Sequence, residues 1–354
     1  MAVGRDIVAV SIPFTAGVVV AAALPLKGES FVWPALCCSV CLIPLFSLLL
    51  GRKADLPVIS AIFFLLGFIC YANSEMGCSL PLFRPSFLSG ASESLAASID
   101  GAGFGPETAS LLKALLTGRR DSLSSETAGY FRNSGASHIL ALSGLHLGII
   151  CSLVSKLLKI LGNSRSAAFV RSLFTIAFSG FYVLMTGASA SIVRAFLFIV
   201  FNETGRHSPG RKRSRLNTFC SALTIQLSFR PELITSAGFQ LSYLAMLGIL
   251  VLFPVLEAWY PSGKSLFRII WKSMAMSVSC QFFTAPAAWW HFRTFPKYFL
   301  LTNLISLPLA ESLIVSSVLA LLLDAFGICP DTIKGLCDFL ARTLIFCLRT
   351  ISSL

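Results

Sequence analysis

Charged side chains are scarce in this sequence, and their scarcity excludes most soluble folds. Only 12% of the 354 residues are Asp, Glu, Lys or Arg, roughly half the fraction found in an ordinary soluble domain. Tyrosine is scarce as well, with six Tyr against 30 Phe, which indicates lipid rather than water as the main solvent. Because 55% of the residues are hydrophobic and the mean hydropathy is +0.80, the sequence predicts an all-α polytopic membrane protein.

Several motifs that carry enzymatic chemistry are also missing. The sequence has no Gly-x-x-x-x-Gly-Lys-Ser/Thr phosphate loop, so we expect no ATP hydrolysis. It has four histidines, none at zinc-ligand spacing with acids, and no His-x-His-x-Asp run. Its 11 cysteines form no metal pattern. We therefore expect a non-enzymatic protein with no metal, no cofactor and no nuclease or ATPase motif.

Apolar runs long enough to cross a bilayer recur along the chain. A spanning helix needs about 20 residues, and about 10–11 transmembrane helices are predicted on that basis. The runs beside Gly187 and Cys220 are short. Short or broken helices are allowed at membrane depth only where they pack inside protein or line a cavity. The predicted spans are 7–26, 31–50, 56–71, 138–161, 169–185, 189–201, 216–229, 238–256, 267–285, 299–323 and 333–351.

The net charge of the chain is +12, and the positions of its basic residues indicate how the chain is oriented in the membrane. If the N-terminus is cytoplasmic, most basic loops fall on the inner side of the membrane, as the positive-inside rule requires. The basic run 206–215 is then a topology determinant. The alternative is a cytoplasmic patch for nucleic acid or a partner protein.

The pattern of spans divides the chain into three regions. Residues 1–73 form an N-terminal transmembrane group, 74–137 a short extracytoplasmic segment, and 138–354 a transmembrane core. In the middle segment, Gly105-Pro106 predicts the start of an amphipathic helix and Gly118 its end. A second short helix is expected over 125–133, with Ser125 as its cap.

One apolar stretch in the middle of the chain carries two histidines, two serines and three glycines. On a continuous helix, His138, Ser143 and His146 share one arc of roughly 140°. Gly144 and Gly148 lie on the other side, where a neighbouring helix would approach closely. Ser143 either bonds the carbonyl one turn back or lines a path. The histidines either bond between helices or line a pore. The sequence therefore predicts a central polar helix around which the other spans are arranged.

Polar residues inside other apolar runs mark further candidates. A lone arginine at membrane depth is costly unless it is paired or hydrated, so Arg194 either pairs with Glu203 or Glu311 or lines a water-filled path. The same alternatives, packing through hydrogen bonds or lining a path, hold for the remaining polar residues. Pro286 and Pro308 are expected to kink their helices. The candidate path-lining residues are His138, Ser143, His146, Arg194, Gln240, Ser242, Asn303 and Glu311.

The run His138-Ile-Leu-Ala-Leu-Ser-Gly-Leu-His146 resembles the central signature of the ComEC-type competence proteins, the inner-membrane channels for DNA uptake. Similar blocks occur in the family's order, and together they extend the resemblance over about residues 111–311. These blocks are 111–132, 188–195 with Arg194, Asn217 with Arg230-Pro231, 238–242, 281–286 and 303–311.

The resemblance implies a bacterial inner-membrane channel for single-stranded DNA, in contact with membrane lipid. It also implies an external DNA receptor and a cytosolic ATP-driven translocase as partners. Full-length members of the family usually add an external OB-like domain and a C-terminal metallo-β-lactamase-like domain, proposed to degrade one strand. This chain resembles only the competence transmembrane module, so a separate nuclease is a further candidate partner.

Two other classes of function remain open. A transporter or flippase for a small anionic or lipid-linked substrate would use broken helices that meet near Gly187. An intramembrane serine hydrolase would use Ser143 with His146 or His138, although no nearby acid orients either imidazole. For the channel, phenylalanine-rich walls could stack bases without sequence preference, but the sequence does not assign which aromatic residues do so.

Overall fold

The structure is a computed structural model that describes residues 3–24, 56–75, 86–162, 164–207, 214–260, 266–293 and 296–354. Within these residues, helix is the regular secondary structure throughout, which confirms the predicted all-α class. The predicted span 31–50 and residues 208–213 of the basic run lie outside the described residues.

The helices are numbered here in chain order over the described residues. They are α1 Val3–Ala23, α2 Leu56–Glu75, α3 Ser86–Gly101, α4 Pro106–Thr117, α5 Ser125–Asn133, α6 Ser137–Leu140, α7 Gly144–Leu157, α8 Arg165–Met185, α9 Ala190–Arg206, α10 Arg215–Phe229, α11 Ala237–Val251, α12 Phe253–Ala258, α13 Leu266–Phe292, α14 Phe299–Ala325 and α15 Asp331–Ser352.

In the part of the chain that the structure describes, four stretches of helix are long and apolar enough to cross a bilayer, so the chain is a polytopic membrane protein. They are Val58–Glu75, Arg165–Met185, Ala237–Ala258 and Phe299–Ala325, and Ile7–Ala23 is a shorter apolar helix. The predicted span 333–351 forms most of α15, which is amphipathic: Ala341 and Leu344 are buried, whereas Arg342 and Arg349 are exposed.

The described residues divide into two compact units. Unit 1 consists of Met1–Phe83 and Ser208–Met246, and unit 2 of Arg84–His207 and Leu247–Leu354. In unit 1, α1 and α2 cross in backbone contact, because a Cβ on Gly67 would collide with the Phe14 carbonyl. Small residues at such a crossing let two membrane helices approach closely.

Helix α4 lies in the core of unit 2. Its leucines, among them Leu111, Leu112 and Leu115, are fully buried in a cluster to which α7, α8, α9, α14 and α15 also contribute. Asp338 of α15 accepts a hydrogen bond from the Gly105 backbone N–H at 3.0 Å, just before α4 begins. The amphipathic helix therefore packs against the bundle.

Helix α5 has the predicted bounds, although its cap differs by one residue. Ser124, rather than Ser125, is the N-cap, and its Oγ accepts a hydrogen bond from the Thr127 backbone N–H at 3.1 Å. Later in the same helix the Tyr130 hydroxyl donates to Glu126, and this bond is the largest cause that raises the pKa of the Tyr130 phenol above its ordinary value. Arg349 of α15 lies over the Tyr130 ring at 6.0 Å, which ties α5 to the bundle.

Candidate functional site

The central polar stretch is broken rather than continuous. Helix α6 ends at Leu140, α7 begins at Gly144, and residues 141–143 between them are not helical. Ala141 has φ −74° and ψ 122°, and Ser143 has φ −118° and ψ 167°, so both are extended. The prediction of one helix starting at His138 is wrong in this respect, because the Ser143 backbone leaves the helical region and caps a new helix.

His146 folds back onto the start of its own helix. The Ser143 backbone N–H donates to His146 Nδ1 at 3.1 Å, and Ser143 Oγ lies 2.8 Å from the same nitrogen. Because Nδ1 accepts from a backbone N–H, the neutral imidazole carries its proton on Nε2. Of the two alternatives for Ser143, the bond to a carbonyl one turn back is replaced by this contact with His146.

The Nε2 atom of His146 has no hydrogen-bond partner among the described residues, although the residue is only 1% exposed. A buried donor without an acceptor costs about 1–3 kcal/mol. Asn303 of α14 presents a buried Oδ1 that also lacks a described partner, and α14 packs against α7. The interior around α7 therefore holds a donor and an acceptor, His146 Nε2–H and Asn303 Oδ1, that no described residue satisfies.

The first residue of α7 touches α9 at Arg194. A Cβ on Gly144 would lie 2.9 Å from Ala195 Cβ and 3.7 Å from Arg194 Nη2, so the missing side chain is what allows this approach. The half-buried guanidinium stands beside the N-terminus of a 14-residue helix. Helix N-termini carry partial positive charge and free N–H groups, and with an adjacent arginine they attract anions.

Arg120 and Gly118 contact the residues on the N-terminal side of the break, Leu140 and Leu142. Arg120 Nη2 donates to the Leu140 carbonyl at 2.9 Å, at the end of α6. Gly118 has φ +79°, and a Cβ there would collide with Leu142. Sequence reasoning missed Arg120, because the Arg119-Arg120-Asp121 run indicates only a charged turn. No periodicity or spacing signals a contact with a carbonyl 20 residues later.

The two central histidines differ in their exposure to solvent. His146 is buried, whereas His138 on α6 is exposed, with Nδ1 3.2 Å from the Gly135 carbonyl oxygen. Gly148 also differs from its predicted partner Gly144. Among the described residues, no atom lies within 4 Å of a Cβ built on Gly148, and the residue is exposed.

The remaining candidates are spread over both units. Gln240 and Ser242 belong to α11 in unit 1, where Gln240 Nε2 donates to the Ile234 carbonyl at 2.8 Å; the site at α7 is built from unit 2 alone. Glu311 is exposed on α14, and α13 and α14 continue as helices through Pro286 and Pro308.

Glu203 is occupied elsewhere and is not the partner of Arg194. Ser172 Oγ donates to Glu203 Oε2 at 2.7 Å, and Arg206 Nη1 lies 2.8 Å from Oε1. Nine residues separate Arg194 from Glu203 along α9, a rise of about 13 Å. The predicted break near Gly187 is present, since α8 ends at Met185 and α9 begins at Ala190.

Metal and hydrolase chemistry find little support in the described residues. No group of three His, Cys, Asp or Glu that could hold a metal ion occurs among them. Ser143 meets His146 through Nδ1, and no described carboxylate meets the other ring nitrogen. A catalytic triad needs such a group to orient the imidazole.

Comparisons with known proteins identify relatives for most of the chain. The family model described as "Competence protein" matches residues 115–354. ComE operon protein 3 of Bacillus subtilis (strain 168) is 28% identical over 231 residues, which cover 63% of this chain and 28% of that protein. The chain thus spans under a third of the length of this relative. No solved structure matches the chain.

Proposed function

The chain belongs to the competence protein family, and we propose that it conducts single-stranded DNA across the bacterial plasma membrane during natural transformation. In this proposal it is a passive channel without nuclease or ATPase activity. A strand carries one negative charge per phosphate and cannot cross hydrocarbon, so its path must be polar and hydrated.

The observation that carries the proposal is the broken helix at α7. Its N-terminus, the Arg194 guanidinium and the buried Nε2–H of His146 belong to one short segment and its immediate neighbour. All three favour an anionic oxygen, and a phosphodiester supplies one at every nucleotide. A phosphate oxygen or a water that accompanies it would complete the hydrogen bonding of His146.

The chemistry of this site suits passage rather than capture. One guanidinium and one neutral imidazole give much less attraction than a dense row of lysines. Conduction requires contacts strong enough to admit the strand and weak enough to release it. A single partly buried arginine beside a helix N-terminus meets that requirement.

The broader arrangement follows the same proposal. Residues 1–73 form an N-terminal transmembrane group with a cytoplasmic N-terminus, 74–137 supply the extracytoplasmic approach, and 138–354 form the channel core. An external DNA receptor would deliver the strand and a cytosolic ATP-driven translocase would draw it inward. A separate nuclease would remove the second strand.

A transporter or flippase for a small anionic or lipid-linked substrate is the second candidate. The same observation favours it, because a helix broken at membrane depth with its N-terminus facing an anion is a common substrate site in transporters. The two functions differ in cargo and not in local chemistry. A direct comparison of cargoes therefore separates them.

The experiment that tests the proposal measures internalisation of labelled DNA in cells that carry the chain. We expect Arg194→Ala and His146→Ala to abolish internalisation, while surface binding of DNA and protein abundance persist. Arg342→Ala, which removes an exposed arginine on α15, is the matched control and should transform normally. Normal transformation by the Arg194 and His146 variants would refute the channel.

A further inference from the structure

The end of α13, the residue after it and the two residues before α14 expose aromatic and basic side chains. Trp289 is 53% exposed, Trp290 72% and Phe292 56%, and the basic residues among them are exposed as well. We call this group the aromatic–basic strip. It consists of Trp289, Trp290, Phe292, Arg293, Lys297 and Tyr298.

The charge of the strip has one sign. The sequence has no acidic residue between Glu257 and Glu311, whereas Lys and Arg occur there five times. Within the strip, Arg293 and Lys297 are therefore not neutralised by acids of the same segment. Exposed aromatic rings interleaved with cations form the composition that binds single-stranded nucleic acid without sequence preference.

Arg293 is turned back onto the helix that it ends. Its φ of 55° is left-handed, which is uncommon for a residue other than glycine. Its backbone N–H donates to the Trp289 carbonyl at 3.0 Å, and its guanidinium lies 5.8 Å from the centre of the Trp290 ring. A cation thus stands beside an indole that remains largely exposed, so one small surface offers both a phosphate contact and a stacking face.

The segment that carries the strip contacts the loop that precedes α6. Pro296 contacts Gly135, where a Cβ would collide with the proline ring. The Gly135 carbonyl oxygen in turn lies 3.2 Å from His138 Nδ1. On the same side, Thr302 Oγ1 donates to the Ser134 carbonyl at 2.8 Å. The strip therefore lies at the approach to α6, next to the residues that lead to the break.

We propose that the aromatic–basic strip is a docking platform on which bases of single-stranded DNA stack before the strand reaches α7. This inference rests on the proposed function and adds a second, base-directed contact to the phosphate-directed one. Tryptophan and arginine at a helix end also occur as anchors in lipid headgroups. Pro296, which lies between Arg293 and Lys297, contacts Gly135, and this contact favours the strand, because a lipid anchor needs no contact with the segment that leads to the break.

The test compares two probes on the whole chain in nanodiscs of zwitterionic lipid. One probe is a fluorescent oligothymidylate, and the other is an abasic oligonucleotide of equal length and charge. Because each stacked base strengthens binding several-fold, we expect the wild type to prefer the oligothymidylate by about tenfold or more. The double variant Trp289→Ala/Trp290→Ala should lose the preference for the oligothymidylate. Its affinity for the abasic oligonucleotide should equal that of the wild type.

The matched control is Trp259→Ala/Phe326→Ala, which removes two rings that are 69% and 77% exposed outside the strip and should keep the preference. A wild type that binds both probes equally, or a Trp289→Ala/Trp290→Ala variant that keeps the preference, would overturn the inference. So would quenching of both tryptophans by headgroup-brominated lipid with unchanged strand binding. The proposed function is tested separately, because His146→Ala and Arg194→Ala should block passage while this base preference remains.

Discussion

Ser143 and His146 are bonded twice at the start of α7: the serine backbone N–H and Oγ lie 3.1 and 2.8 Å from the same imidazole nitrogen. This arrangement resembles a capping box in which histidine replaces the usual Glu or Gln. It explains why a helix begins in the middle of an apolar run. It also fixes the proton of the imidazole on the buried Nε2.

Two substitutions of His146 should separate its role in capping α7 from its role as a buried hydrogen-bond donor. We expect His146→Ala to lower stability by about 1 kcal/mol, the usual cost of a lost cap, and to abolish DNA uptake. His146→Asn places an amide oxygen near the position of Nδ1 and so retains an acceptor for the Ser143 N–H, but its shorter side chain has no N–H at the position of Nε2. Thermal unfolding in detergent should therefore be near normal for this variant while uptake stays absent. Full uptake by His146→Asn would show that only the cap matters.

Gly144 should be intolerant of any side chain, because its Cβ would lie 2.9 Å from Ala195 Cβ. We expect Gly144→Ala to cost about 1–3 kcal/mol through overpacking and to displace Arg194. The double variant Gly144→Ala/Ala195→Gly should recover both stability and uptake. Gly148→Ala is the control, because a Cβ on Gly148 lies within 4 Å of no described neighbour. Because alanine favours helix more than glycine does, this variant should be as stable as the wild type or more stable by up to about 1 kcal/mol. Equal effects of the two single alanine variants would contradict the close approach.

Arg120 should affect stability and DNA uptake through its hydrogen bond to the backbone beside the break. Its side chain donates to the Leu140 carbonyl at 2.9 Å, and because Arg120 is exposed this hydrogen bond should contribute about 0.5–1.5 kcal/mol. We expect Arg120→Ala to lower the unfolding temperature and to reduce uptake. Arg119→Ala, a change at the neighbouring exposed arginine, should leave both unchanged. The two variants would behave alike if the Arg-Arg pair served only as a charged surface turn.

The helix crossing in unit 1 gives a prediction about stability alone. A Cβ on Gly67 would collide with the Phe14 carbonyl, a backbone group that cannot rotate away. Gly67→Ala should therefore cost about 3 kcal/mol or more and reduce the amount of folded protein in the membrane. Gly90→Ala, with no described atom within 4 Å of its Cβ, should accumulate normally. Normal folding of Gly67→Ala would contradict the backbone contact.

The sequence predicted features that depend on local chemistry. Gly105-Pro106 and Gly118 mark the bounds of α4 because proline favours a helix start and glycine tolerates the left-handed end. The bounds of α5 and the break near Gly187 follow from similar local signals. These features need no knowledge of what the helices touch.

Features that depend on contacts between distant segments could not be predicted from the sequence pattern. The apolar periodicity from His138 onward runs through residues 141–143 without interruption, so it favours one helix where the structure has two. The three-residue spacing of Ser143 and His146 was a capping signal, but histidine is not the expected partner. The contact of Arg120 with Leu140 and the collision of Gly118 with Leu142 depend on how distant segments pack.

The central claim is that the broken helix at α7 passes a single strand of DNA. The most direct measurement is flux of a fluorescent single-stranded oligonucleotide into vesicles that contain the purified chain, under a membrane potential that is positive inside. We predict flux for the wild type and Arg342→Ala, and none for Arg194→Ala. The flux of small organic and inorganic phosphates is measured in parallel. Passage of those small anions without passage of the strand would contradict the channel and identify a transporter instead.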